Sequence, residues 1–310
     1  MGFGVMFHHF HSATHLERPG SISATQFDRM LSYLESSYSI LSPELFLNKL
    51  LANSLAPDEI VLSFDDSLLS QFEVALPVLD SHGILAVFNV YSSVFTGEPD
   101  QLEIYAMFRA TEYQSFEEYW TAFQATIESV KPGVGELLRN TFPSNWLEEF
   151  PFYSENERKF RFMRDKLLSK PEYAAAMSGL ISNASKFNLD DAVERAWMHE
   201  EHLRLIVAGG HSIGLHSHTH PTQMADLPET DQLDEYLTNK EWIQGQIGVT
   251  PEWVAHPCGS YSAKTLEILA GLGIRAGFRS SLTPGMYDSP LEIPREDHAN
   301  LLRFIENVDN

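Results

Sequence analysis

Cysteine is nearly absent from this 310-residue chain: Cys258 stands alone, which excludes an intrachain disulfide and suits a reducing, cytoplasmic setting. Basic residues are scarce as well. Lys and Arg total 21 against 43 Asp and Glu, a formal charge of −22 with neutral histidine. So negative a surface repels phosphate backbones and anionic lipid, which argues against a nucleic-acid or membrane-surface partner. No apolar run approaches the ~20 residues that span a bilayer. The first residues, Met1 to His9, have neither the positive leader nor the long apolar stretch of a signal peptide. A hydrophobic fraction of 43% and a charged fraction of 21% are those of an ordinary globular chain, which leaves out disorder and coiled coil. Histidine, by contrast, is plentiful, with 13 residues and two dense clusters.

Short apolar runs alternate with helix-like stretches, the pattern of a parallel sheet wrapped by helices. Gly4 to Phe7, Glu59 to Phe64, Ile84 to Tyr91, His211 to Leu215, Trp253 to Ala255 and Ile274 to Phe278 read as strands. Ser23 with Gln26 forms a capping-box pair ahead of Phe27, Met30, Leu31 and Leu34 at helical spacing. Ser42-Pro43 marks a second helix start. Ser67 to Ser81 reads as a helix closed by His82-Gly83, Thr230 to Ile247 as another, and Ser262 to Leu272 as one capped by Gly273. From about 96 to 197 the rhythm breaks into aromatic and charged helical segments with no strand pattern. The chain therefore reads as one α/β domain over residues 1–310, a distorted (β/α) barrel of about seven strands interrupted by a mostly helical insertion. In such barrels chemistry gathers where strands end and loops begin.

Two segments carry candidate chemistry. In Val61-Leu-Ser-Phe-Asp-Asp-Ser67 a pair of carboxylates follows a buried strand directly. Either aspartate also suits the N-cap of the next helix. Two ionised carboxylates this close repel unless a cation or donors offset them. In His211-Ser-Ile-Gly-Leu-His-Ser-His-Thr-His-Pro221, histidines occupy 216, 218 and 220. On a helical turn His216 and His220 share a face; on an extended strand all three do. Two histidines and one carboxylate are a ligand set for zinc with a position left for water.

Taken together, Ser63-Phe-Asp-Asp-Ser67, Ser212-Ile-Gly-Leu-His-Ser-His-Thr-His220 and His256-Pro-Cys-Gly259 resemble, in order and spacing, the three motifs of the polysaccharide deacetylases, metal-dependent carbohydrate esterases. The resemblance covers roughly residues 1–95 and 200–300. It implies Asp66, His216 and His220 as ligands of one divalent metal ion, zinc foremost with cobalt or nickel as alternatives. It implies Asp65 as general base and the Cys258 amide as an oxyanion donor, with Pro257, Gly259 and Tyr261 shaping a sugar groove. Ser67 replaces the motif glycine, Cys258 replaces a tyrosine, and Ala255 stands where many members have an arginine that orients the aspartate. Arg295, in Ile293-Pro-Arg-Glu-Asp-His298, is the candidate substitute, with a solvated surface arginine as the alternative. His298 is the candidate proton donor; His8, at the end of the first strand, is a rival and a substrate contact. His218 is open as a third ligand, a partner of a ligand or a sugar contact, and His11 and His15 are expected on a surface loop.

The function the resemblance implies is metal-dependent removal of an N-acyl group, acetyl foremost, from a small or carrier-linked amino sugar, such as an intermediate of surface-glycan synthesis. A two-metal hydrolase of the amidohydrolase or phosphoesterase kind is the second reading, prompted by His9-x-His11 and His216-x-His218-x-His220. A sugar-binding protein that keeps the barrel without turnover is the third, prompted by Ser67 and Ala255.

Overall fold

The computed structural model describes residues 2–18, 20–148, 153–282 and 289–308. It divides into two compact units, one of residues Met1–Asp100 with Arg195–Asn310, the other of Gln101–Glu194.

In the first unit, among the described residues, a row of seven parallel strands, β1 (Phe3–Phe7), β2 (Glu59–Phe64), β3 (Ala86–Val90), β4 (Ser212–Leu215), β5 (Trp253–Ala255), β6 (Ala276–Phe278) and β7 (Arg295–Asp297), is joined by the short parallel strand Ser39–Ile40 against the start of β2. Their order is β7-β1-β2-β3-β4-β5-β6. A parallel bridge from Phe278 to Ile293, two residues before β7, brings the ends of this row together, so the sheet is a nearly closed barrel. The strands are short and almost wholly buried because a barrel wrapped in helices has both faces covered. Phe7, Leu62, Phe64, Phe88, Leu215 and Val254 form the continuous core with the helices outside.

Local chemistry sets the helix ends. At α1 (Ala24–Ser37) the Ser23 hydroxyl accepts from the Gln26 amide and the Gln26 side chain accepts from the Ser23 amide. At α2 (Pro43–Leu51) Ser42 caps the Leu45 amide and proline occupies the first turn. The segment read as one helix over Ser67 to Ser81 differs. Leu68 bridges Trp197, and Gln71–Ala75 is a π turn in which the Leu76 amide donates to the Gln71 carbonyl; only then does α3 (Leu76–His82) begin. Pro77 explains the break, since it has no amide to donate and crowds the preceding turn. His11 is not in a loop: Phe10–His11 pairs with Ile22–Ser23 as a two-stranded ribbon. His15 lies in the connection between the two strands of that ribbon, with its Nε2 2.7 Å from Glu73 Oε2.

The second unit is helical: α4 (Gln101–Glu112), α5 (Phe116–Val130), α6 (Val134–Thr141), α7 (Glu155–Phe162) continued by a π turn (Met163–Leu167), and α8 (Lys170–Ser182). Its interior is an aromatic cluster of Tyr119, Phe123, Phe160 and Tyr173. Among the described residues, no helix of either unit is long and apolar enough to cross a membrane.

Candidate active site

The site is built at the C-terminal ends of the barrel strands. β2 ends at Phe64, and the Asp65 amide still donates to the Phe7 carbonyl of β1. Immediately after, Asp66 (φ 77°) and Ser67 (φ 58°) both take the left-handed conformation. On a continuing strand the two carboxylates would point to opposite faces. The left-handed turn cancels that alternation and brings both to the same mouth of the barrel. It also explains why glycine suits position 67: a side chain there stands at a strained φ, and the Ser67 hydroxyl is buried without a hydrogen-bond partner among the described residues.

His216 extends β4, its amide donating to the Val90 carbonyl and to Asn239 Oδ1. The chain beyond it is neither helix nor strand. Ser217 (φ 66°) and His220 (φ 55°) are left-handed, and the Ser217 hydroxyl accepts from the His220 amide. This turn brings the two imidazoles together, with ring centroids 4.8 Å apart. The Nε2 atoms of His216 and His220 lie 3.3 and 3.6 Å from Asp66 Oδ1. One ligand atom from each of the three residues falls within 4.8 Å of the others, the only such set among the described residues.

The donor set fits a cation. His216 Nδ1 is 2.8 Å from the Ala255 carbonyl, an acceptor only, so this nitrogen carries the proton. In the neutral ring Nε2 then presents a lone pair to the lone pairs of the Asp66 carboxylate, a repulsive arrangement that a shared metal ion makes attractive. A ligand histidine held by a backbone carbonyl through its other nitrogen is the usual way to fix tautomer and ring plane. His220 Nδ1 makes no hydrogen bond among the described residues, but the Asp100 carboxylate stands at ion-pair distance, its Oδ2 3.6 Å away. Burial acts to lower the His220 pKa, yet Asp100 and Asp66 together raise it. The ring of Tyr91 lies 5.3 Å from that of His220, and its hydroxyl accepts from Trp197 Nε1.

Asp65 stays outside this set and is held from two sides. Arg295 grips it as a fork, Nη1 to Oδ1 at 2.9 Å and Nη2 to Oδ2 at 2.7 Å, with both side chains about 98% buried or more. Asn89 Nδ2 donates to Oδ1 at 2.8 Å. Burial works to raise the Asp65 pKa, but Arg295 chiefly, with His216 and His8, outweighs it and the carboxyl titrates at about 2. Two glycines make the clamp possible. Arg295 pairs in register with Gly4, which pairs in turn with Val61, so its side chain crosses β1 to reach β2. A Cβ at Gly4 would stand 2.9 Å from Arg295 Cγ. On the other side a Cβ at Gly214 would stand 2.3 Å from Asn89 Oδ1.

Arg295 is therefore no surface arginine. It supplies from β7 the charge that Ala255 does not carry on β5. His8 Nε2 lies 3.8 Å from Asp65 Oδ2 and is partly exposed. His298, expected as proton donor, is 5% exposed, stacks on Phe7, and gives its Nε2 proton to the Gly20 carbonyl at 2.8 Å. The imidazole beside the Asp65 carboxylate is that of His8, and the ring centroids of His8 and His298 are 6.4 Å apart. His218 is not in the ligand set; its Nδ1 meets the Ser92 hydroxyl at 2.9 Å and its amide donates to Glu235. Pro257 is buried, and Cys258 is exposed at φ 52° in the turn Pro257–Gly259 that follows β5. The Tyr261 hydroxyl is committed to Glu292 at 2.9 Å, and its ring stacks on buried His256 at 4.3 Å. Burial, the largest cause, lowers the His256 pKa to about 4.

Sequence reasoning missed Asn89 and Asp100. Asn89 left a trace, the one amide in the apolar run Ile84 to Tyr91; Asp100, in the loop after Gly97, left none.

The polysaccharide deacetylase family model matches residues 175–277, a stretch holding His216, His220 and the Pro257–Gly259 turn. A curated relative, the uncharacterized protein YlxY of Bacillus subtilis (strain 168), is 41% identical over 66 residues, which is 21% of this chain and 20% of that one. The Streptococcus pyogenes deacetylase PplD, solved in complex with acetate, superposes with a TM-score of 0.56 at 17% identity, covering 95% of this chain and 90% of that one. IcaB from Ammonifex degensii gives 0.54 at 17% identity with coverage of 95% and 90%. A de-N-acetylase from Aggregatibacter actinomycetemcomitans gives 0.55 at 15%, with 95% and 93% covered. At such identities the superpositions show the barrel fold. The resemblance to the polysaccharide deacetylases thus holds both in the matched segment and in the fold.

Proposed function

We propose that this chain is a metal-dependent carbohydrate deacetylase that hydrolyses the N-acyl amide, acetyl foremost, of an amino sugar. The observation that carries the reading is the convergence of Asp66, His216 and His220 on one point, with Asp65 beside them and held off by Arg295. One divalent cation belongs there, zinc first, with cobalt or nickel accepting the same ligands. When bound, that ion supplies an acidified water and a polarised amide carbonyl.

The chain's own groups do the rest. Asp65, with its pKa of about 2, is ionised over any working pH and accepts the proton of the attacking water. The Arg295 fork and the Asn89 amide keep its second lone pairs occupied, so it cannot swing onto the cation. His8 is the group that returns a proton to the departing amine, since it stands at Asp65 and retains access to solvent. The Cys258 amide is the donor for charge developing on the carbonyl oxygen. The substrate class proposed is a small or carrier-linked sugar, and the exposed lone thiol of Cys258 agrees with a reducing compartment. The two-metal reading loses ground, because a second three-residue set is absent among the described residues.

Metal quantification and acetate release on the same preparations test this. One ion per chain in the wild type, none in His216→Ala, and acetate release abolished in Asp65→Asn with the ion retained are expected. Two ions per chain would favour the two-metal hydrolase, and undiminished acetate release from Asp65→Asn would overturn the assignment of the base.

A further inference from the structure

The helical unit holds a feature that deacetylation does not use. Of the nine residues from Arg158 to Lys166, five are basic, in a chain with only 21 Lys and Arg. Three are occupied: Arg158 donates to the Ser144 and Trp146 carbonyls, Lys159 pairs with Glu155, and Lys166 lies over the Trp146 ring. Arg161 and Arg164, three residues apart, share one face of the helical segment. Arg109, in the last turn of α4, faces the same aromatic cluster. Its guanidinium carbon is 5.6 and 5.9 Å from the ring centroids of Phe116 and Tyr119, and both rings contact Phe160. The Arg164 guanidinium is 6.0 Å from Phe160, and that of Arg161 is 4.0 Å from Tyr153.

Among the described residues their charges are only partly balanced. Asp165 receives both Arg164 bonds, at 2.5 and 2.9 Å. Among the described residues no carboxylate pairs with Arg109 or Arg161, and both are half-buried. Burial, and after it repulsion from Arg164 and Arg109, draws the Arg161 pKa below the ordinary guanidinium value against Tyr153 and Asp165. Cations partly withdrawn from water are normally paired. Helix-end dipoles offset only a small part of such a charge and do not explain why cations from two helices gather.

We propose that Arg109, Arg161 and Arg164 form a binding site for a phosphoryl group. Guanidinium forks match phosphate oxygens bidentately, and aromatic faces hold them in plane. The forks of Arg109 and Arg161, with the Arg164 N–H groups that Asp165 does not take, suit a group with three acceptor oxygens better than a two-oxygen carboxylate. The site lies wholly within residues 101–194 and does not rest on the deacetylase reading. The acidic surface elsewhere is no obstacle, because charges farther than ~10 Å are screened at ordinary ionic strength. A soluble phosphate ester and a lipid headgroup offer the same chemistry.

Calorimetric titration of the full chain with inorganic pyrophosphate tests the site. Arg109→Gln and Arg161→Gln are each expected to weaken binding about ten-fold or more, since a hydrogen bond to a charged group contributes ~1.5–3 kcal/mol. Arg161→Lys, which keeps charge without the fork, falls between, and exposed Arg139→Gln changes nothing. Because the two arginines sit on different helices, failure of one variant to fold leaves the other to decide. Absence of saturable binding, or wild-type affinity in both variants (as capture at the candidate metal ligands would give), overturns the proposal. Sedimentation with phosphatidylcholine vesicles containing phosphatidic acid separates the sources. Uptake that pyrophosphate competes away marks a headgroup, pyrophosphate binding without uptake marks a soluble ligand, and uptake retained by both variants counts against the site.

Discussion

Arg295→Met isolates the energetics of the Asp65 clamp from any chemistry. The substitution keeps volume and removes the fork, leaving a carboxylate only 2% exposed with Asn89 as its remaining side-chain donor. Breaking one side of a buried ion pair costs about 3–5 kcal/mol, because the remaining charge is stranded in a poorly polarisable interior. For a unit of this size that is on the order of 10 °C in the unfolding temperature. Calorimetry in excess chelator keeps metal binding from adding its own stabilisation. The pH dependence gives a second, sharper reading. In the wild type the Asp65 pKa falls from 3.8 to about 2 on folding, so its contribution is present above pH ~4 and is lost as pH drops toward 2. In Arg295→Met burial is left to dominate, the folded pKa rises above the unfolded one, and the variant regains stability as pH falls from neutrality. The two slopes have opposite signs. Asp65→Asn combined with Arg295→Met strands no charge, so the double variant recovers most of what Arg295→Met loses. A loss below about 1 kcal/mol, or a double variant no more stable than Arg295→Met, would refute the clamp.

Two further outcomes follow from the same geometry. Asp100→Asn removes the negative partner of His220 Nδ1, and loss of such a partner weakens metal affinity about 10–100-fold; competition against a chelating dye measures it, and unchanged affinity would show that His220 is held without Asp100. Ser67→Gly relieves a left-handed residue and deletes a buried hydroxyl that has no partner among the described residues, so it stabilises the fold by about 1 kcal/mol in denaturant unfolding. Destabilisation on that change would mean that the Ser67 hydroxyl has a partner the fold depends on.

How much of this was legible in the sequence depends on the range of the interaction responsible. Glu59–Phe64 was readable as a buried strand because its six residues are buried on both faces, and Ser23, Ser42, Gly83 and Ser262 marked helix ends because each bonds or turns within a few residues of itself. Where a local rule met a stronger one the reading slipped. Helical spacing over Ser67 to Ser81 gave way to Pro77, and the histidine run from 211 to 221 could not reveal a turn built on Ser217 and His220, residues that seldom take positive φ. The bond from His298 Nε2 to the Gly20 carbonyl spans 278 residues of sequence, which no spacing discloses.

The Asp65 clamp shows why motif and mechanism separate at this point. The motif gives two aspartates, and nothing near them says which will bind a cation. That choice is made by strand order. Because β7 lies next to β1 and β1 next to β2, an arginine 230 residues away faces Asp65 across a glycine, while β3 brings Asn89 against it opposite a second glycine on β4. Asp66, one residue further on, has turned out of reach of both and meets the two imidazoles instead. The different surroundings of these adjacent, chemically identical side chains are thus a property of the barrel: Gly4 and Gly214 admit the donors that hold Asp65, and Asp66 is left to the two imidazoles.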